Sequence, residues 1–182
     1  MQRVFFNNLN TVHFIAASVV IVNHIEQVKS MFGLNNIWNN HIIKQIGELG
    51  VLLFFVLSGF LITYLLLEEK KYLKTIHIEA FYIRRFLRIW PLYYLIVIIS
   101  IVILNKVSLF EIPHISQNFY DTYLYIKIVL FILMLPNITL LFFGVLPYAS
   151  QTWSIGIEEQ FYLFWTRLIK KFKYPFKSLV VV

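Results

Sequence analysis

Two histidines, three arginines and two glutamates are the residues in this chain whose types and spacing could do chemistry. His13 and His24 stand eleven positions apart in a stretch free of Lys, Arg, Asp and Glu. Eleven residues make about three helical turns, so on a helix both imidazoles project from nearly the same face, about 16 Å apart along the axis. An imidazole titrates near neutral pH and can accept a proton from an attacking hydroxyl. The alternative is that each histidine packs between helices or reaches a headgroup region. Arg84, Arg85 and Arg88 form a compact basic set, and Arg85 and Arg88, at i and i+3, share a helical face. Two guanidinium forks on one face suit a phosphate or pyrophosphate, whose oxygens they bind bidentately. They would equally serve as anchors to anionic lipid. Glu158 and Glu159 follow Trp153 and Ser154, with Gln160, Phe161 and Tyr162 next. A carboxylate at membrane depth must find a partner, a proton or water, and one placed there could orient and polarise a histidine. On a helix lying along the surface both would be solvated. Ser58-Gly59 lies in the apolar run Phe54 to Leu61, where small residues more often permit close helix packing than catalysis. No P-loop, dinucleotide fingerprint or metal-ligand spacing occurs. The absence of cysteine excludes disulfides, thiolate metal sites and cysteine nucleophiles.

The elements that must position these residues are set by composition. Of 182 residues, 59% are hydrophobic and only 14% charged, with a mean hydropathy of +0.73. No soluble domain of this size has enough interior to hide so much apolar surface. The expected fold is therefore an all-α integral membrane protein, a polytopic transmembrane helix bundle with no soluble domain. The net charge of +7 does not indicate a nucleic-acid binder, because the aromatic residues sit in apolar runs rather than between basic ones.

A crossing helix needs about 20 mostly apolar residues. Val4 to Ile25, Leu49 to Leu67 and Ile89 to Leu104 are candidate spans, and Ile128 to Ile157 is a fourth, interrupted by Pro136, Gly144 and Pro147. The interruptions argue against one straight helix there. A fifth segment, Trp153 to Phe172, carries Glu158, Glu159 and Arg167, so about four to five hydrophobic segments are expected in all. After the first, Asn23-His24-Ile25-Glu26 offers no small-residue cleavage site, which favours a retained span.

Eleven of the 16 basic residues fall in two places: Lys70, Lys71, Lys74, Arg84, Arg85 and Arg88, then Arg167, Lys170, Lys171, Lys173 and Lys177. The positive-inside rule puts the first group in the cytoplasm, so span one runs outward from a cytoplasmic N-terminus, span two inward and span three outward. The second group conflicts with this if both later segments cross. Either the proline-broken fourth region does not cross, or the fifth segment lies along the interface. The terminal Ser178-Leu-Val-Val-Val182 reads as the opening of another apolar run, which points to a truncated chain.

Four stretches, in this order, resemble the membrane-bound acyltransferase family 3, bacterial O-acyltransferases that modify surface polysaccharides. They are Leu9-Asn-Thr-Val-His13-Phe-Ile-Ala-Ala17 continuing to His24; Gly50 to Thr63, with Phe54-Phe55-Val56-Leu57-Ser58-Gly59 at its centre; Phe81-Tyr-Ile-Arg84-Arg85-Phe-Leu-Arg88-Ile-Trp-Pro91-Leu-Tyr93, carrying an R-x-x-R pattern; and Trp153-Ser-Ile-Gly-Ile-Glu158-Glu-Gln-Phe-Tyr162. The sequence departs from the family in having His13 where a basic Arg or Lys is usual, and Asn10 where aspartate is common. The resemblance runs from about Leu9 to Phe164 and covers the first half of the family's domain, so residues 1–182 are expected to be a partial acyltransferase domain.

What the resemblance implies is transfer of an acyl group, commonly acetyl, from cytoplasmic acyl-CoA to a hydroxyl of an extracytoplasmic carbohydrate, in the bacterial inner membrane. Acyl-CoA would be a donor substrate, with no permanently bound cofactor and no metal. By the same implication His24 is the catalytic histidine, acting as general base or acyl carrier. His13 is its supporting position and Glu158 the carboxylate of the fourth motif. Arg85 and Arg88, with Arg84 beside them, would hold the CoA phosphates. The rival readings are an inactive remnant or assembly subunit of the same fold, and a transporter fragment whose polar residues line a conduction path.

Overall fold

The computed structural model describes residues 8–104, 107–112 and 123–171. Six α-helices account for most of them: α1 (Leu9–Met31), α2 (His41–Leu73), α3 (Ile78–Ile98), α4 (Leu124–Ile132), α5 (Pro136–Phe142) and α6 (Trp153–Lys171), with no strand among the described residues. Three helical stretches are long and apolar enough to cross a membrane: α1, α2 and α3 with the π turn that continues it to Ile103. Leu87, Leu92, Leu95 and Ile98 on α3 are all more than half exposed, an apolar surface that lipid would cover. The chain forms two compact units, one up to Ile62 and one from Thr63 on.

In the first unit α1 and the early part of α2 form an antiparallel hairpin. The first span extends past its expected end at Ile25 to Met31, because Glu26 and Lys29 pair with each other at 2.7 Å instead of halting the helix. Buried Glu26 also accepts the backbone N–H of Ile37 at 2.8 Å, pinning the connection to α2. Gly33, at φ +68°, ends α1 in a Schellman motif: its N–H bonds the Ser30 carbonyl and the Leu34 N–H that of Lys29. Asn40 then caps α2, its Oδ1 accepting the Ile42 N–H at 2.9 Å. The helices touch at two small residues. A Cβ on Gly47 would overlap the Asn23 side chain, and one on Gly50 would lie 2.8 Å from Val20 Cγ2. The Asn23 amide donates to the Ile43 carbonyl at 2.9 Å.

α2 is 33 residues long, about 50 Å, so it projects beyond a hydrocarbon core of about 30 Å. The expected span Leu49 to Leu67 is its apolar middle. It ends at Lys74, which takes a left-handed φ of 59°.

In the second unit the third span begins eleven residues earlier than expected, at Ile78, so Arg84, Arg85 and Arg88 lie within a helix and not ahead of one. The fourth region is broken as its prolines and glycine imply. Pro136 opens α5, and Met134 (φ 59°), Gly144 (φ 85°) and Tyr148 (φ 61°) turn the chain. α4 and α5, of nine and seven residues, are about 14 and 10 Å long, too short to cross.

α6 runs antiparallel to α3. Tyr82 Oη donates to the Leu163 carbonyl at 3.0 Å, the Arg85 guanidinium lies 5.3 Å from the Tyr162 ring centre, and Ile155 packs on the cluster around Tyr93. At the far end of α6, Lys70 Nζ bonds the carbonyls of Ile169 (2.7 Å) and Lys170 (3.2 Å). Arg167, Lys170 and Lys171 therefore sit at the same end as Lys70 and Arg84. Lys173, Lys177 and residues 178–182 lie outside the described residues. The broken fourth region thus holds no helix of crossing length among the described residues, and α6 ends at the basic end.

A core of Tyr93, Val97, Phe131, Met134, Leu146 and Ala149 joins α3, α4 and the turn before α6. Tyr93 Oη donates to the Phe131 carbonyl at 2.9 Å and Tyr94 Oη to that of Ile132 at 2.7 Å, so neighbouring tyrosines satisfy last-turn carbonyls of α4. Tyr93 is fully buried. Tyr93→Phe leaves a buried carbonyl without this donor and is expected to lower stability by about 1–2 kcal/mol, read by denaturant unfolding in detergent.

Candidate functional site

The two candidate histidines of the first unit lie on α1. His24 is half-buried, and its Nδ1 is 2.7 Å from the Val20 carbonyl; His13 repeats the arrangement with Leu9 at 2.8 Å. A carbonyl oxygen only accepts, so Nδ1 carries the hydrogen in both and Nε2 is the nitrogen with a lone pair to offer. The tie to the helix's own backbone fixes tautomer and ring orientation together. His13 additionally rests against Phe54 of α2, ring centres 6.0 Å apart. Asn23, beside His24, holds α1 to the start of α2, a role that sequence reasoning missed because it depends on Gly47 being bare.

The three arginines, taken as a set in the sequence, have separate surroundings. Arg84 Nη2 lies 3.6 Å from Glu69 Oε2, while Glu69 Oε1 accepts the His77 N–H at 2.8 Å. Arg84 therefore braces the α2–α3 turn. Arg85 is half-buried, its guanidinium 5.8 Å from the Phe81 ring centre and 5.3 Å from that of Tyr162. Aromatic contact uses the faces of a guanidinium and leaves its N–H edges open. Among the described residues Arg85 makes neither a hydrogen bond nor an ion pair, although Glu158 and Glu159 are near enough to interact with it electrostatically. Arg88, exposed, lies close enough to Arg85 to repel it.

On α6, Glu158 Oε2 accepts the Tyr162 hydroxyl at 2.8 Å, so the motif carboxylate and the ring near Arg85 are joined. Glu159 interacts with Arg85 and with the Trp90 indole. Its Oε1 and Trp90 Nε1 are nevertheless buried without a hydrogen bond of proper geometry. Trp90 and Phe81 were not among the sequence candidates; only the antiparallel register of α3 and α6 brings them beside the glutamates. Among the described residues no group of three or more His, Cys, Asp or Glu could hold a metal ion.

These features define a class: a multi-pass, all-helical membrane protein with a tautomer-fixed histidine in one unit and an arginine–carboxylate–aromatic cluster in the other. Residues 6–182 match the family model described as an acyltransferase domain, and the chain belongs to that family, as its four motifs suggest. It is 34% identical over 131 residues to the peptidoglycan O-acetyltransferase OatA of Listeria monocytogenes, covering 69% of this chain and 20% of that protein. It is 30% identical over 155 residues to the putative peptidoglycan O-acetyltransferase YrhL of Bacillus subtilis, covering 81% and 22%. A putative O-acetyltransferase of Staphylococcus aureus strain COL is 34% identical over 125 residues, covering 65% and 19%. The chain thus spans about a fifth of the length of these curated relatives. No solved structure matches.

Proposed function

We propose that this chain carries the donor-binding and proton-accepting parts of a membrane O-acetyltransferase that moves an acetyl group from cytoplasmic acetyl-CoA to a hydroxyl of an extracytoplasmic carbohydrate. The observation that carries the reading is Arg85, a half-buried arginine on a span-length helix that makes no hydrogen bond or ion pair among the described residues, with Glu158 and Glu159 acting on it only through space. Desolvating a guanidinium without an anion is costly, and a phosphate oxygen supplies what is missing. Arg88, one turn further on, adds a second fork. The names borne by the relatives support the acyl group and acceptor class. The basic end shared by α2, α3 and α6 is read as cytoplasmic, in the inner membrane, with the N-terminus on the same side.

In this reading His24 Nε2 takes the proton of the acceptor hydroxyl as its oxygen attacks the thioester carbonyl. The carbon–sulfur bond then breaks, and the imidazolium returns the proton to the departing thiolate. Glu158 holds Tyr162 beside Arg85, and His13 braces the α1–α2 hairpin against Phe54.

Calorimetry of the purified protein in detergent tests the donor half. Arg85→Ala/Arg88→Ala is expected to weaken acetyl-CoA binding by about a hundredfold, the loss of two charge-assisted contacts. Arg84→Ala, whose side chain is engaged with Glu69, should change it by less than about threefold, with a stability cost below about 1 kcal/mol. Equal losses from Arg84 and from the pair would overturn the assignment.

A further inference from the structure

Arg85 stands beside two carboxylates and pairs with neither. Glu158 and Glu159 both act on it electrostatically, yet among the described residues it closes no ion pair with either. In a half-buried site an arginine and a neighbouring carboxylate ordinarily join in a charge-assisted pair, often bidentate. Each carboxylate here is instead engaged by an aromatic residue. Glu158 Oε2 accepts the Tyr162 hydroxyl at 2.8 Å, one turn along α6. The Glu159 carboxylate lies within hydrogen-bonding reach of the Trp90 indole N–H on α3, and there a buried acceptor and a buried donor are each other's complement. Both donors sit on rings that packing holds in place. Tyr162 is fully buried, with the Arg85 guanidinium 5.3 Å from its ring centre, and the Trp90 ring lies 4.2 Å from Phe86 and 5.8 Å from Tyr94 between centres. A hydrogen bond from a fixed ring decides where a mobile negative charge stands. Were either carboxylate to move onto Arg85, the guanidinium would be occupied whenever the donor is absent. The apparent donor affinity would then fall in proportion to the fraction of molecules left open.

We propose that Tyr162 and Trp90 are positioning residues of the donor site: the tyrosine hydroxyl holds Glu158 and the indole N–H holds Glu159, so that neither carboxylate closes onto Arg85 and the guanidinium is kept for the donor's phosphate. This rests on the acyl-CoA reading above and adds to it the two residues that keep Arg85 available. Neither aromatic residue touches the donor in this arrangement; each acts through the carboxylate it restrains.

The test is a pair of double-mutant cycles, read as the acetyl-CoA dissociation constant of the purified full chain in detergent. Tyr162→Phe and Trp90→Phe each keep an aromatic ring and remove the polar hydrogen. Each alone is expected to weaken acetyl-CoA binding about threefold to tenfold, the population equivalent of one lost hydrogen bond. Glutamine has no charge with which to close on Arg85. In a Glu158→Gln background Tyr162→Phe should therefore change the affinity by less than about twofold, and Trp90→Phe likewise in a Glu159→Gln background. A ring that served packing alone would lose the same factor in both backgrounds. Equal losses in the glutamate and glutamine backgrounds, or no loss in the single variants, overturn the proposal and leave the donor reading standing, since the wild type binds. The Tyr162 cycle decides alone if Trp90→Phe does not fold. Failure of the folded wild type to bind acetyl-CoA overturns the donor reading, and the positioning role with it.

Discussion

His24→Ala in the full-length enzyme is expected to abolish acetyl transfer while leaving membrane insertion and donor binding intact. The ring is held by one hydrogen bond, from Nδ1 to the Val20 carbonyl one turn back. Alanine, the best helix former, takes that place without breaking the helix. What is lost is the Nε2 lone pair. Removing a positioned general base costs about 10²–10⁴-fold in rate, which at the upper end places residual transfer at background. The measurement is incorporation of labelled acetyl from acetyl-CoA into extracytoplasmic carbohydrate in membranes, paired with acetyl-CoA binding to the same preparation. A defect in transfer with normal binding assigns the proton-accepting step to His24. Transfer retained by the inserted variant would remove His24 from the mechanism, and a parallel loss of binding would reduce it to a packing residue.

Much of the helical framework was legible because hydropathy reports directly on lipid-compatible length. The apolar middles of α1, α2 and α3 stand out in the chain, and Pro136 and Gly144 mark where the fourth region must break. What hydropathy reports, however, is the part of a helix that lipid tolerates, not the helix. α3 begins at Ile78 because Glu79 and the arginines are compatible with helix while being incompatible with hydrocarbon, and α2 overruns its apolar window at both ends for the same reason. The direction of α6 was not legible. Its charge pattern does not say which end meets the end of α2, and that is given by Lys70, whose ammonium reaches carbonyls at residues 169 and 170.

The candidate residues show the same division. Side-chain type and i, i+3 spacing grouped Arg84 with Arg85 and Arg88, but spacing along one helix is silent about the neighbouring element. Arg84 meets Glu69 from α2, and Arg85 meets Tyr162 from α6. Nor could spacing couple Trp90 to Glu159, because that depends on the antiparallel register of helices separated by more than fifty residues. Small residues gave a partial signal. Ser58-Gly59 suggested close packing on α2, and the hairpin contact is made at Gly47 and Gly50, earlier on the same helix.

Gly156→Val should leave little correctly folded protein, and the reason lies in the partner it meets. α5 approaches α6 at Gly156 so closely that a Cβ there would be 2.8 Å from Pro136 Cδ and 3.0 Å from Asn137 Oδ1. A flexible side-chain tip could turn aside, but a proline ring at the first position of a helix cannot, so α5 as a whole would have to shift. The shift would break the paired amides of Asn137 and Gln160, which bond each other reciprocally at 3.0 and 3.3 Å. Overpacking alone costs about 1–3 kcal/mol, and two half-buried amides without partners add about 1–3 kcal/mol each. Together these approach the whole stability of a typical domain, about 5–15 kcal/mol. Gly33→Ala is the contrasting case: a Cβ there meets nothing within 4 Å, and only its φ of +68° is unfavourable, a cost of about 1 kcal/mol. Size-exclusion yield and thermal unfolding in detergent should therefore show a modest loss for Gly33→Ala and near-complete loss for Gly156→Val. Comparable behaviour of the two would mean that α5 is not seated on α6 at Gly156, and with it would fall the placement of Glu158 and Glu159 beside Arg85.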